Sequence, residues 1–351
     1  MNLPELWFAI VAVFWIGFFV LEGFDFGVGA LHAALGRSET DRRVVINTIG
    51  PFWDGNEVWL VVGGAAIFAA FPAWYATWLS ASYLAVVLLL LALIVRGVSF
   101  EYRGKGHTDR WRWSFSLTLT VGSIVAPLVL GIALGDLLAG LPVNADEEFT
   151  GTFWDLFTAF GVWTGLTLLL LSLLDGAAFV ALRTTGPVAT RARRFGRVLA
   201  WTSLVAVLVL VLWTLDIADQ GLGTYVLLVL APLGVMAAFV LLRVDRDGLA
   251  FSATAIAMAA TVAGLFASLY PDVLVSSTDA SYTLTVQGSA SGDYALKVMT
   301  VVAAVFFPIV LLYQGYSYVV FRHRIEGPPS GPVHAGETAG GKPGGGTVIP
   351  S

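Results

Sequence analysis

Residues 196–216 read GRVLAWTSLVAVLVLVLWTLD, and this stretch decides what kind of fold the chain can adopt. Between Arg197 and Asp216 lie eighteen residues without a charged side chain. An α-helix needs about 20 predominantly apolar residues to cross the hydrocarbon core of a bilayer. The stretch is therefore predicted to be a transmembrane helix with basic residues at one end and acidic residues at the other.

The composition of the whole chain agrees with that prediction. Of its 351 residues, 57% are hydrophobic and 12% are charged, whereas about a quarter of a soluble domain is charged. A soluble enzyme, a disordered chain and a nucleic-acid-binding protein are excluded, and the net charge of −5 also disfavours binding to nucleic acid. Because cysteine is absent, disulfides and cysteine-ligated metal centres are excluded as well.

Other stretches of the chain have the same apolar character, so the sequence predicts an all-α integral membrane protein. One transmembrane domain of nine helices is expected over residues 1–324. The nine predicted helices cover about residues 6–35, 50–71, 74–100, 112–139, 152–183, 196–216, 222–243, 248–270 and 295–322.

Basic residues indicate the orientation of these helices. Eighteen of the nineteen lysines and arginines follow the odd-numbered predicted helices, whereas the connections after the even-numbered helices are acidic. Short loops rich in Lys and Arg stay in the cytoplasm. The arginine-rich side is therefore predicted to be cytoplasmic, with the N-terminus outside and the C-terminus inside.

Two segments and one repeat complete the predicted organisation. Residues 271–294 are expected to form an ordered extracytoplasmic loop, and the Gly- and Pro-rich residues 325–351 a disordered cytoplasmic tail. The sequence VLEGFDFGVGAL at 20–31 is similar to LLDGAAFVALR at 173–183, which suggests two parallel copies and a 4+4+1 layout of helices. Small apolar residues also produce such similarity by chance, so both interpretations stay open.

Carboxyl groups in the predicted spans are the candidate functional residues, because ionisable groups in a bilayer are costly and often functional. Glu22 and Asp25 are three residues apart and share a face near the inner end of the first helix. They either form an ion pair with an inner arginine or handle protons.

A second group of candidates lies in PFWDGNEVW at 51–59, where the proline indicates the first turn of the second helix. Asp54 and Glu57 share a face there. Acids in a first turn are favoured by the helix dipole and cap free N–H groups, so capping and proton transfer are alternatives. Trp53 and Trp59 are candidates for an interface or for a functional route.

A third group is RGVSFEYR at 96–103, at the inner end of the third predicted helix. Arg96 and Glu101 could form ion pairs with the neighbouring candidates. The alternative for Arg96 is that its side chain snorkels to the membrane surface.

The four histidines lie at helix ends, in a loop and in the tail, and none is at mid-membrane. Haem iron is typically held by His, Met, Cys or Tyr. The chain is therefore expected to hold no haem or other metal alone, and any redox centre is expected in a partner.

The motifs GFDFGVG at 23–29, PFWDGNEVW at 51–59 and RGVSFEYR at 96–103 resemble subunit II of the cytochrome bd quinol oxidases. The resemblance extends over roughly residues 1–322. It implies a heterodimer with subunit I, which holds b and d haems, oxidises quinol and reduces oxygen to water. It leaves open whether a structural quinone and small accessory subunits join the two chains in the lipid membrane.

The resemblance also implies roles for individual residues. It places Asp54 on a cytoplasmic proton path to subunit I, with Asp25 and Glu22 as further members. Glu57 stands where some relatives have glutamine, so its place on the path is open. Trp59, with Trp53 nearby, corresponds to a residue beside an oxygen route in some members.

A proton-coupled secondary transporter is the alternative, with Glu22, Asp25 and Asp54 as its coupling site. Transporters usually bind their substrates near the midplane, between repeats. In this chain the acids lie toward the inner ends of the helices, which favours the oxidase subunit. A purely structural partner whose acids only form ion pairs is a third alternative.

Overall fold

A computed structural model describes residues 2–106, 108–218 and 221–325. The described chain is almost entirely helical, with two short β-strands in the connection before the last helix. The helices are α1 (Leu3–Leu35), α2 (Glu39–Asn47), α3 (Trp53–Ala70), α4 (Pro72–Ala81), α5 (Tyr83–Tyr102), α6 (Asp109–Ala139), α7 (Ala159–Arg183), α8 (Gly186–Ile217), α9 (Leu222–Arg243), α10 (Asp247–Leu269) and α11 (Asp293–Val320), and the strands are β1 (Asp272–Leu274) and β2 (Leu284–Thr285).

Among the described residues, eight helices are long and apolar enough to cross a membrane: α1 and α5 to α11. The second predicted span corresponds to α3, which has 18 residues and is about 27 Å long. Its first two turns carry Asp54, Asn56 and Glu57, which lower its mean hydropathy below that of the others. An all-α membrane protein is thus supported, while nine spans and the orientation of the termini stay predictions.

The prediction of one helix over residues 74–100 is wrong. The chain bends at Ser82, which separates α4 from α5. The hydroxyl of Thr77 in α4 donates a hydrogen bond to the carbonyl oxygen of Glu147, at 2.7 Å, in the connection between α6 and α7. This contact holds α4 at the end of the bundle, and α5 alone is long enough to span.

Two other helix boundaries differ from the sequence prediction, and one short helix was not predicted. A short 3-10 helix, Phe153–Leu156, precedes α7, and Thr158 caps α7 by accepting from the N–H of Gly161. Helix α8 begins at Gly186, upstream of the predicted 196, with a proline in its first turn. The short helix α2, capped by Ser38, was not predicted because nine residues are too few for a clear periodic signal.

The N-terminal helix lies at the centre of the bundle. Helix α1 packs against α3, α6, α7 and α10. At its crossing with α7 the two backbones touch, because a Cβ atom at Gly27 would lie 2.8 Å from the Cα of Gly176. Small residues permit such close approach between membrane helices. The two similar segments of sequence therefore pack against each other, and the polar face of α1 is held inside the protein.

The two segments outside the helices also have described structure. Within residues 271–294, β1 pairs antiparallel with β2. Beyond α11, the N–H of Ile325 donates to the carbonyl oxygen of Arg183 at 2.8 Å, so ordered contacts continue to the first residue of the predicted tail. The rest of that tail, 326–351, lies outside the described residues.

The helix crossing at Gly176 generates a stability prediction. Gly176→Val places a side chain against the backbone of Gly27 and is expected to lower the stability by about 1–3 kcal/mol, seen as a lower midpoint of thermal unfolding of the purified complex. Gly223→Val in α9 is the control, because a Cβ atom there meets nothing within 4 Å. Equal midpoints for the two variants would contradict the close crossing.

Candidate functional site: a buried carboxyl network

A buried arginine organises the candidate residues. The side chain of Arg96 in α5 is fully buried, and its Nη1 lies 2.6 Å from Oε1 of Glu22 and 3.5 Å from Oε2 of Glu57. Its guanidinium lies over the rings of Phe26 and Phe100, at 4.8 and 5.2 Å from their centres. Arg96 therefore points into the bundle, and the alternative that it snorkels to the surface is wrong.

The pair between Arg96 and Glu22 is close without being a well-directed hydrogen bond. Despite the 2.6 Å separation, both carboxyl oxygens of Glu22 and all three guanidinium nitrogens lack an aligned hydrogen-bond partner in the protein. Charge attraction accounts for the contact.

Asp25 connects this pair to two further helices through an asparagine. Its Oδ2 accepts a hydrogen bond from Nδ2 of Asn56 in α3 at 2.7 Å. The Oδ1 of Asn56 accepts in turn from Nε2 of Gln314 at 2.8 Å and from the hydroxyl of Tyr318 at 3.0 Å, both in α11. Polar side chains thus run without interruption from the central helix to the last one.

The balance of charge in this network is uneven. Three carboxyl groups, those of Glu22, Asp25 and Glu57, surround one guanidinium, that of Arg96. One guanidinium balances one carboxylate, and an unbalanced buried charge costs several kcal/mol. Protons are the simplest counter-charges that such a cluster can take up, so the arrangement is suited to holding and passing protons.

Asp54 lies at the edge of the network. Its side chain is exposed, and α3 has no side-chain cap, so the alternative role of Asp54 as a helix cap is not observed. Together with Glu57 it lines one end of an apolar groove of about 900 Å³ between α3 and α5. One helical turn separates the exposed acid from the partly buried one.

The two candidate tryptophans lie on different sides of α3. Trp53 stacks on Phe100, with ring centres 4.9 Å apart, and thereby covers the arginine. Trp59 is buried and packs edge-on against Phe14 and Phe307, with ring centres 6.2 and 6.1 Å apart. These positions assign packing contacts to both residues and leave the predicted oxygen route untested.

The predicted ion pair of Glu101 is wrong. Its side chain is exposed, and no ion pair to it occurs among the residues that the structure describes. The arginine that pairs at this end is Arg103, whose two terminal nitrogens bind both carboxylate oxygens of Glu39 at 2.8 and 2.9 Å. Glu39 belongs to α2, the helix that the sequence analysis missed.

Several buried polar residues were also missed. Gln314 and Tyr318 share a helix face, but uncharged residues in an apolar span gave no strong signal. Asp175 is fully buried and accepts a hydrogen bond from Thr254; its place opposite Glu22 in the suspected repeat was the available clue.

The chain is similar to a family of known proteins. Residues 3–321 match the family described as cytochrome bd terminal oxidase subunit II. The cytochrome bd ubiquinol oxidase subunit 2 of Bacillus subtilis (strain 168) is 44% identical over 328 residues, which cover 92% of this chain and 97% of that protein. The cytochrome bd-I ubiquinol oxidase subunit 2 of Escherichia coli (strain K12) is 35% identical over 350 residues, covering 89% and 92%.

A solved structure supports the same fold. A chain of the bd oxidase from Geobacillus thermodenitrificans superimposes with a TM-score of 0.69, covering 92% of this chain and 98% of that one. Its sequence identity is 21%, so this similarity concerns the architecture alone.

The buried ion pair leads to a prediction with an internal control. Arg96→Gln leaves Glu22 without its cation and is expected to cost about 3–5 kcal/mol, measured as a lower unfolding midpoint of the purified complex. The double variant Arg96→Gln with Glu22→Gln replaces both charges and is expected to recover much of the loss. A double variant no more stable than the single one would contradict the ion pair. Arg37→Gln, at an exposed arginine, serves as the control for loss of a positive charge.

Proposed function

Because this chain belongs to the cytochrome bd terminal oxidase subunit II family, we propose that it is the haem-free subunit of a quinol:oxygen oxidoreductase in the bacterial plasma membrane. Its partner, subunit I, carries the b and d haems, and these supply electron transfer from quinol and the reduction of oxygen to water. The present chain contributes a scaffold for that partner and access for protons. Multi-pass insertion in the membrane follows from its eight apolar helices.

The docking face for subunit I is formed by α3, α5 and α11. Helix α11 buries only Leu296 within the described chain, and large apolar side chains such as Phe306 and Leu312 are exposed on it. Those apolar side chains could face lipid. The exposed acid Asp54, however, lies beside the groove on the same face. A charged group facing hydrocarbon is costly, which supports cover by a protein partner at this place.

Proton access is assigned to the carboxyl network, and the observation that carries the proposal is its continuity. Asp54 and Glu57 lie at the groove, Arg96 joins Glu57 to Glu22, and Asp25 lies beside Glu22 on α1. In the proposed route, protons from the cytoplasmic side pass along these carboxyl groups and water to the surface that subunit I covers. The arginine balances charge and holds the acids in place.

The family assignment favours the oxidase subunit over the proton-coupled transporter. The network also lies toward the arginine-rich ends of α1 and α5, whereas a transporter site is expected near the midplane. In the proposal the acids must gain and lose protons, whereas in the purely structural alternative they only form ion pairs. Replacing an acid by its amide therefore separates the two.

Asp54→Asn is expected to slow quinol-driven oxygen consumption about tenfold, less than the hundredfold or more that loss of a positioned proton-transfer group typically costs. The reduction is partial because Glu57 offers a second carboxyl group at the same end of the groove. Asparagine keeps the shape and hydrogen-bonding ability of aspartate but releases no proton near neutral pH. Turnover is measured on complex with an unchanged haem spectrum.

Two matched variants complete the Asp54 experiment. Glu101→Gln removes an exposed acid at the same end and is expected to leave turnover unchanged. Glu57→Gln introduces the residue that some relatives carry. Because it also removes the second acid at the groove, it is expected to slow turnover partially, as Asp54→Asn does. Wild-type turnover in Asp54→Asn would contradict a role for this acid in proton transfer, whereas loss of haem from the complex would indicate an assembly role.

The haem-free assignment is tested on the chain expressed without subunit I. His32 is fully buried. Its Nδ1 donates a hydrogen bond to the carbonyl oxygen of Gly29 at 2.7 Å, and its Nε2 has no hydrogen-bond partner among the described residues. We expect the purified, folded subunit to contain no stoichiometric haem by absorption spectroscopy. A haem band that disappears in His32→Ala would contradict the assignment and identify the ligand.

A further inference from the structure

A patch of arginine and aromatic side chains lies on α8 and α9, away from the carboxyl network. Arg194, Arg197 and Trp201 are spaced three and four residues apart and so share one face of α8. Phe239 and Arg243 are four residues apart on α9. These five residues are here called the arginine–aromatic patch.

The geometry brings the two rows of this patch together. Helices α8 and α9 are antiparallel and close at Gly196, where a Cβ atom would lie 2.8 Å from Leu242. In antiparallel helices the residues that follow such a contact turn to the same side, so Arg197 and Arg243 flank the crossing. On that side Trp201 contacts Phe239 edge-on at 5.0 Å between ring centres.

The second contact within the patch is between Arg243 and the same phenylalanine, whose ring centre lies 4.4 Å from the guanidinium carbon. Such cation–π contacts hold a guanidinium over one ring face. The ring of Phe239, which is only 9% exposed, thus joins Arg243 to Trp201, and the patch is continuous across both helices.

The positive charges of the patch have no acidic partner among the residues that the structure describes. In the described parts of the chain, Arg194, Arg197 and Arg243 form no ion pair. The acids near the end of α9 are engaged elsewhere: Arg193 lies 3.3 Å from Asp245 and 2.7 Å from Asp247. Three guanidinium groups therefore remain available to an external anion.

We propose that the arginine–aromatic patch binds the phosphate headgroup of an anionic phospholipid in the leaflet at the arginine-rich end of the helices. Guanidinium groups bind phosphate oxygens through paired hydrogen bonds. Tryptophan prefers the headgroup level of a bilayer, and basic groups at the surface of a membrane attract anionic lipids. The expected order from surface to hydrocarbon is therefore arginine, then aromatic ring, then aliphatic side chain.

The side chains beyond the rings decide between a lipid and a soluble anion. Val205 on α8, one turn beyond Trp201, and Met236 on α9, one turn beyond Phe239, are 58% and 36% exposed, and both are apolar. A free phosphate ion makes no use of such a surface, whereas the acyl chains of a lipid cover it. Helices α8 and α9 pack against each other, α7 and α10, and do not form the proposed docking face, so the patch stays open to lipid in the complex.

The test is a lipid titration of the intact purified complex, followed by native mass spectrometry. Phosphatidylglycerol is the anionic probe and phosphatidylcholine the neutral one. The variant Arg197→Gln with Arg243→Gln is expected to weaken the first binding of phosphatidylglycerol about thirty-fold, at about fivefold for each basic residue. Binding of phosphatidylcholine is expected to stay unchanged.

Arg37→Gln is the matched control, because Arg37 is exposed and has no ring contact in the described chain. Equal losses in the control and in the double variant would overturn the proposal, as would unchanged binding in the double variant. Displacement of phosphatidylglycerol by inorganic phosphate alone at similar concentration would also overturn it, in favour of a soluble anion. An unchanged unfolding midpoint in phosphatidylcholine verifies that the variants are folded. The oxidase proposal does not depend on the result.

Discussion

Arg96 carries a positive charge into the interior of a membrane protein, and Glu22 is the carboxyl group that it reaches at 2.6 Å. A buried charge without a partner costs several kcal/mol, so the helices that bear these two residues cannot move apart freely. The contact of Gly27 with Gly176 holds α1 against α7, with its acidic face toward α5. The position of every other member of the network depends on this arrangement.

The same constraint connects the chain to its partner. The hydrogen bonds from Asp25 through Asn56 reach Gln314 and Tyr318 on α11, the helix with the most exposed apolar surface. Hydrogen bonds therefore connect Asp25, in the central helix, to the proposed docking face. On the far side of the bundle, the proposed lipid site engages arginines that the network does not use.

The sequence predicted the parts of this arrangement that depend on spacing along one helix. Long apolar stretches located most spans, and Glu22 and Arg96 were identified because ionisable groups are rare in apolar segments. Contacts between helices depend on rotation about each axis, which a single sequence does not contain. The pairing of Glu101 was therefore wrong, and Gln314 and Tyr318 were missed because uncharged polar residues are common enough in spans to give no signal.

We propose that protons reach subunit I through the buried acids of this chain. The most direct test is the charge separation measured during a single turnover with oxygen, in proteoliposomes that hold the complex with Asp25→Asn. We expect the Asp25→Asn complex to bind oxygen normally and to separate charge about a hundredfold more slowly than the wild type. A wild-type rate in a variant with full haem content would contradict it.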